Sequence, residues 1–341
     1  MPLRLRFWDR KDEIKYLKAY LRGVPNSILF IYGPKSSGKS TLMKQVIKKL
    51  SPNREKLLQK YGILYYDFRS KLIRSSQSII DLFFRIGEGE DPVVKSGVKI
   101  DENTKIAIKE GKIEPFELIE ERLRESGRKN IIILDELQKL KGIYLEGSSE
   151  NGRLLDELFN FFVRITKVEH LAHVIVMTSD TFFVEELYSN SSLANCAEYY
   201  LVDFFSDDIA KSVLVSERLN EVEASYVVSW CGGVPWFLER VLSKKKVLGI
   251  REAIKSLYRM VKGEVLEKLG RLWRGSEALA KKDGEVLVKV VMGSGVDMLL
   301  KDRESVERLA SAEILFYDPL SGTARPQTRL HERAIKEILG L

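Results

Sequence analysis

The sequence predicts an α/β fold: a doubly wound parallel sheet, then a helical region, then a small helix–hairpin domain. Three observations carry that expectation. Five short apolar or β-branched runs occur at Ile28–Tyr32, Ile63–Phe68, Ile131–Asp135, Val174–Thr178 and Tyr199–Phe204. Such runs suit strands covered on both faces, as in a parallel sheet. Helical patterns separate them, and that alternation implies a doubly wound sheet. The strand signal then stops after Phe204.

The first strand runs directly into Gly33-Pro34-Lys35-Ser36-Ser37-Gly38-Lys39-Ser40-Thr41. This is the full Walker A spacing in its required setting of strand, loop and helix. The glycines let backbone amides turn inward around phosphate oxygens, and a helix starting near Ser40 adds its positive end. Residues 42–50 continue as the amphipathic helix the motif demands. Lys39 would reach the β- and γ-phosphates, and the Ser40 hydroxyl would ligate Mg²⁺. A nucleoside triphosphate is the expected ligand, with ATP or ADP and Mg²⁺ as cofactors.

The second strand is followed by a polar, Gly- and Lys-rich stretch over 86–112, read as an excursion between strands. The third strand, Ile131-Ile-Ile-Leu-Asp135-Glu136, ends in two carboxylates at the sheet edge beside the phosphate loop. Asp135 would hold Mg²⁺ through its water shell, and Glu136 would orient or deprotonate the attacking water. A helix over Gly152–Val168 follows, with Leu155, Leu158, Phe159, Phe162 and Ile165 on one face. The fourth strand ends in Thr178-Ser179-Asp180. In P-loop NTPases of the additional-strand (ASCE) type, this strand lies between those carrying the two motifs. Ser179, with Thr178 as the alternative, would then meet the γ-phosphate.

Beyond Phe204, helices are predicted at Asp207–Leu219 and Glu221–Trp230, then a break at Cys231-Gly-Gly-Val-Pro235 and a helix at Trp236–Leu242. Lys244–Lys246 is read as a junction. Helices near Arg251–Leu269, Gly284–Met292 and Glu304–Ser311 precede strands at Ile314–Tyr317 and Ala324–Leu330, with a turn over 318–323. Helix, helix and hairpin is the order of a winged helix-turn-helix. The expected domains are 1–203 for the P-loop unit, 204–261 for a helical lid and 262–341 for a winged helix.

The net charge of +7 is unevenly spread. Residues 1–60 hold 15 Lys/Arg against 4 Asp/Glu, whereas 61–203 hold 18 against 25. The basic third could attract nucleic acid, but a triphosphate site with solvated helix faces explains it better. Residues 262–341 are nearly balanced, at 14 against 13, which favours a protein client over duplex DNA. Arg325, Arg329 and Arg333, beside His331, are the local cluster that could oppose this. No apolar run of 18 residues or signal-peptide pattern occurs, and the two cysteines lack metal-ligand spacing. A cytoplasmic protein without a membrane partner is expected. His170 and His173 are not expected to be catalytic.

Four motifs together carry a resemblance. Phe7-Trp-Asp-Arg10-Lys-Asp-Glu-Ile, Gly33–Thr41, Leu134-Asp-Glu-Leu-Gln138 and Gly232-Gly-Val-Pro235 resemble, in order, those of the archaeal ATPase family within the AAA+ and STAND group. The resemblance implies that Phe7 to Arg10 line the adenine pocket and that Pro235 packs near the base. One departure matters. Family members usually place an arginine shortly before the fifth strand, yet no Lys or Arg lies between Lys167 and Lys211. Arg240 is the best substitute in the same chain, although a surface role is the simpler reading. Without such a cation hydrolysis would be slow. The expected function is Mg²⁺-dependent ATP hydrolysis driving a conformational change in a C-terminal interaction domain. The alternatives are an ADP-holding switch with little turnover and an origin-initiator-like DNA-binding ATPase.

Overall fold

Residue alternation builds the sheet. In the computed structural model, which describes residues 10–69, 84–85, 98–141, 154–188 and 193–341, strand β1 is Ile28–Tyr32. Its Ile28 and Phe30 pack on one face, Leu29 and Ile31 on the other, and all are fully buried or nearly so. The other strands are β2 (Tyr61–Asp67), β3 (Lys129–Asp135), β4 (Ala172–Thr178) and β5 (Ala197–Leu201). They pair in the order β2–β3–β4–β1–β5, every pair parallel. The fourth strand thus lies between those bearing the two nucleotide motifs, as the additional-strand arrangement requires.

Helices cover both faces. Helix α1 (Lys11–Arg22) and α2 (Lys39–Leu50) pack on the face of Leu29 and Ile31. The opposite face is covered by α5 (Pro115–Glu125) and α6 (Leu154–Val163), after α3 (Arg54–Lys60) and α4 (Glu102–Lys109). Part of the expected excursion is therefore helical, with Asp101 capping α4 through the Thr104 amide. The expected helix over Gly152–Val168 is α only to Val163, then widens into a π-turn over Arg164–Val168. Gly152 lies outside the described residues. Helix α7 (Thr181–Tyr188) leads toward β5.

Beyond Phe204 the helix expected near Gly284–Met292 already begins at Glu277, and the strand expected over Ala324–Leu330 ends at Pro326, with Arg329 opening a helix. Two larger differences concern the junctions. The first concerns the lysine triplet. Helix α10 (Pro235–Leu248) runs straight through it, after α8 (Asp207–Ser216) and α9 (Glu221–Cys231). The break comes at Gly249, whose φ of +74° favours glycine. The second concerns the boundary at 261/262, which falls inside the 23-residue helix α11 (Ile250–Leu272). Its buried Leu257, Val261 and Leu269 share one core with Leu238 of α10 and Leu330 and Ile335 near the C-terminus. One apolar core therefore spans both regions. It is completed by α12 (Glu277–Val291), α13 (Arg303–Ser311), the antiparallel hairpin β6 (Leu315–Asp318) and β7 (Thr323–Pro326), and α14 (Arg329–Leu339). No helix of the described residues is long and apolar enough to cross a membrane.

Candidate nucleotide site

Because the strands are parallel and in register, the C-terminal ends of β1, β3 and β4 meet at one cleft: Tyr32 lies beside Thr178, and Asp135 beside Met177. The loop after β1 needs its glycines. Gly33 has φ +148°, and a Cβ there would lie 2.2 Å from the Val202 carbonyl oxygen. Gly38, at φ +94°, precedes α2, and no side chain caps that helix. Its opening amides are left for an anion in the loop. Ser36 holds a left-handed φ of +65°, which costs a serine energy and fits a ligand-clamping loop. The Ser37 hydroxyl is buried without a hydrogen-bond partner among the described residues.

Lys39 is buried, and its Nζ donates to the carbonyls of Gly33 (2.9 Å) and Pro34 (3.1 Å). Burial pushes its pKa down to about 8, partly countered by Glu136 and Asp135. Ser40 Oγ donates to Asp135 Oδ2 at 2.7 Å, and Asp135 is only 1% exposed. The same oxygen accepts from the Tyr65 hydroxyl (2.7 Å) and from Arg69 (2.8 Å). Ser40 and Asp135 thus present adjacent hard oxygens, a donor set that fits Mg²⁺ bound beside phosphate and water.

Glu136 turns the chain with a left-handed φ of +64°, and its amide donates to the Met177 carbonyl at 2.8 Å. Its carboxylate accepts from Gln138 Nε2 and lies 3.3 Å from Ser179 Oγ. Thr178 takes a different part: fully buried, it donates to Gln138 Oε1 at 2.9 Å and accepts from the Asp180 amide. Ser179 therefore meets the second carboxylate, while Thr178 orients the glutamine that also holds it. Sequence reasoning gave Tyr65, Arg69 and Gln138 no role. The signal for Arg69 was topological: β2 pairs with β3, so residues just past β2 must arrive beside Asp135.

Arg69, Glu136, Gln138 and Ser179 line a cleft of about 600 Å³, with Lys35, Ser36, Gly38, Lys39, Ser40 and Thr41 on its loop wall. Ser311, Glu313, Phe316 and Gln327 form part of the opposing wall, all from the C-terminal region. Lys35 bridges the two through a 2.8 Å ion pair with Glu313. An adjoining cavity of about 280 Å³ is lined by Lys35, Ser36, Val234, Trp236, Phe237 and His331, among others. Pro235 opens α10 between two of these lining residues. The glycine before Val234 has a steric reason: a Cβ on Gly233 would lie 1.8 Å from the Phe205 carbonyl oxygen.

Three expected site residues fare differently. Phe7 lies outside the described residues. Arg10 lines neither cavity; its guanidinium donates to the carbonyls of Ser37 (2.6 Å) and Asp203 (2.8 Å) and lies over the Phe205 ring. It braces the loop from behind, because a buried guanidinium must spend its donors on nearby carbonyls. Arg240 stacks on Trp236 at 5.1 Å and also lines neither cavity.

Comparison with known proteins agrees with this fold. A family described as an ATPase domain predominantly from Archaea matches residues 7–241. The chain belongs to this archaeal ATPase family. An uncharacterised ATP-binding protein of Methanocaldococcus jannaschii is 34% identical, over 98% of this chain and 95% of its own. Another, from Pyrococcus abyssi, is 31% identical over 98% of each. Among solved structures, a Walker-type ATPase of Pyrococcus abyssi superposes with a TM-score of 0.62 at 18% identity, covering 98% of this ATPase and 97% of that chain. The ORC2 protein of Aeropyrum pernix, solved with ADPNP and ADP, gives 0.54 at 12% identity, covering 100% and 96%. At such identities the two structures establish likeness of fold.

Proposed function

We infer that this ATPase hydrolyses ATP with Mg²⁺ and that nucleotide occupancy changes how its C-terminal region sits on the phosphate loop. Lys39 and the loop amides would hold the phosphates, while Ser40 and Asp135 would hold the metal. Bound Mg²⁺ would neutralise charge on the β- and γ-phosphate oxygens. Glu136, held by Gln138 and Ser179, would align water against the γ-phosphorus and accept its proton. Breaking the bond to the β,γ-bridging oxygen then leaves ADP and inorganic phosphate. Ser179 would also touch the γ-phosphate, and the cavity beside Pro235 would receive the base.

The observation that carries the switch is the two-sided cleft, in which loop Lys35 is paired with Glu313 of the opposite wall. The rest of the contact is largely polar, with one apolar patch where Phe182 stacks on Tyr317 at 4.9 Å. Tyr32 donates to Asp318 at 2.9 Å, Arg303 pairs with Glu185 and Arg325 with Asp203. Exposed ion pairs contribute only about 0–1 kcal/mol each, so a triphosphate can offset them. The test is phosphate release with and without Mg²⁺, beside limited proteolysis with ADP and with a non-hydrolysable ATP analogue. Mg²⁺-dependent release and a different cleavage pattern for the two nucleotides are expected. Identical patterns would leave an ATPase without the switch.

The C-terminal region has the helix and hairpin order of a winged helix, and its contacts support a protein-facing role. Arg325 pairs with Asp203; Arg329 pairs with Asp207 and donates to the Val228 carbonyl; Arg333 donates to the Ser229 carbonyl and lies over Trp230. All three arginines face the chain's own body. Duplex DNA binding should accordingly be weak at physiological salt. Tight, salt-sensitive binding would instead favour the initiator-like reading.

A further inference from the structure

The cleft contains an arginine that the reading above leaves without a task. Arg69 follows β2 and is 46% exposed in its side chain, yet it ends on the buried Asp135. One terminal nitrogen donates to Asp135 Oδ2 at 2.8 Å and lies 3.5 Å from Ser40 Oγ; the other lies 3.9 Å from Glu136. Its Nε and backbone amide both donate to Asp67 Oδ1, at 3.1 and 2.9 Å, which tethers the base of the side chain. The guanidinium therefore touches both would-be metal ligands and approaches the would-be general base.

Two further observations bear on its use. Arg69 is the single arginine among the described residues lining the cleft. Of its lysines, Lys35 is engaged by Glu313, Lys39 lies in the loop, and Lys139 stands one residue beyond Gln138 without the guanidinium fork. The stretch between Lys167 and Lys211, where a finger is expected, contains no cation. Moreover, the oxygen that Arg69 occupies is one that Mg²⁺ would need. A guanidinium and a divalent cation sharing one carboxylate oxygen repel each other strongly in a half-buried site.

Resting on the assignment of this cleft to Mg·ATP, we propose that Arg69 is the cation in cis of the hydrolytic site. In the nucleotide-free protein it neutralises Asp135. Arrival of the metal frees it, and the Asp67 tether keeps it within reach of the γ-phosphate beside Glu136. There it stabilises the charge that builds on the phosphoryl oxygens as water attacks. Exchange of one cation for another explains how a nearly inaccessible carboxylate keeps a counter-charge in both states.

The test compares wild type with Arg69→Ala and Arg69→Lys in two measurements. Single-turnover hydrolysis at saturating ATP should fall about 10³-fold in Arg69→Ala, the lower end of what such an arginine supplies, with ATP affinity within about 3-fold. Arg69→Lys should recover only a small part, because a point charge does not reproduce the guanidinium fork. The second measurement is independent of turnover. Binding of a fluorescent ADP is followed while Mg²⁺ is titrated, and its half-saturating Mg²⁺ should drop about 3-fold or more in Arg69→Ala, since Asp135 loses its competing cation. Hydrolysis within about 3-fold of wild type, or an unchanged Mg²⁺ midpoint, overturns the proposal. Wild-type protein that binds no ATP would instead refute the site itself, an outcome separate from either.

Discussion

The sheet edge and the C-terminal wall face each other across one cleft but are built to opposite standards. On the sheet side, Lys39 and Asp135 are almost inaccessible, and every residue of β1 is buried. On the other side, Glu313 is 38% exposed and its partner Lys35 is 61% exposed. The first wall is fixed by strand register and close packing, so its charges cannot move without disturbing the sheet. The second is held by ion pairs that water and salt weaken and by one small apolar contact, Phe182 stacked on Tyr317. A nucleotide entering between them should leave the first in place and move the second.

Removing Lys39 breaks the comparison most severely. Lys39→Ala deletes the buried cation aimed into the loop, and ATP binding should be lost in a direct titration. Wild-type affinity in that variant would locate the nucleotide elsewhere. Glu136→Gln comes next. It keeps the bonds to Gln138 and Ser179 feasible but removes the proton acceptor, so hydrolysis should fall at least about 10²-fold with binding intact. Single-turnover kinetics matching wild type would take the general-base role from Glu136.

A third test uses the burial of Lys39 itself. Burial holds its pKa at about 8 in the unliganded protein, below the usual lysine value. Phosphate favours the ammonium form, so binding requires a protonated Lys39. Affinity should therefore be flat below pH 8 and weaken as pH rises above it, by up to about 10-fold per pH unit. The same lowered pKa opposes folding of the unliganded chain in full below pH 8, and that penalty fades between pH 8 and the ordinary lysine value of 10.5. A pH-independent dissociation constant between pH 7 and 9.5, measured by calorimetry, would mean Lys39 is not the titrating ligand contact.

How much of this was legible in the sequence follows the same division. The strand cores and both nucleotide motifs were readable because each rests on local spacing: Gly33 to Ser40 within one loop, and Ile131 to Glu136 within one strand. The strand limits moved by a few residues, since pairing partners and not local composition set where a ladder ends. Arg69 and Gln138 were missed because their roles exist only once β2, β3 and β4 are side by side. Arg10 was carried over from a family motif, but its donors are taken by Ser37 and Asp203. The position 261/262 falls inside α11, and a polarity-based reading cannot see that α11 packs against both α10 and α14. Glu313 and Gln327 reach the loop through the docking of a whole region, and no spacing rule encodes that.

The smallest expected effect is the most direct test of the movable wall. Glu313→Gln keeps the side chain's size and removes its charge, which frees Lys35 and takes one negative group away from the approaching phosphates. Lys268, 3.5 Å from Glu313, keeps its closer partner Glu264 at 2.7 Å. Because the Lys35 pair is also largely exposed, the loss is worth at most about 1 kcal/mol to folding, so the melting temperature of the unliganded protein should fall by no more than about 2 °C. Affinity should change in the opposite sense. With Lys35 available and the repelling carboxylate gone, ATP should bind about 2- to 5-fold more tightly, and ADP should gain less because it lacks the third phosphate. Lys35→Gln separates the two contributions: it also breaks the pair, but removes the cation, so ATP should bind no better than to wild type. Equal gains for both nucleotides in Glu313→Gln, or no gain at all, would show that the Lys35–Glu313 contact is bystander packing and not the point where the triphosphate is sensed.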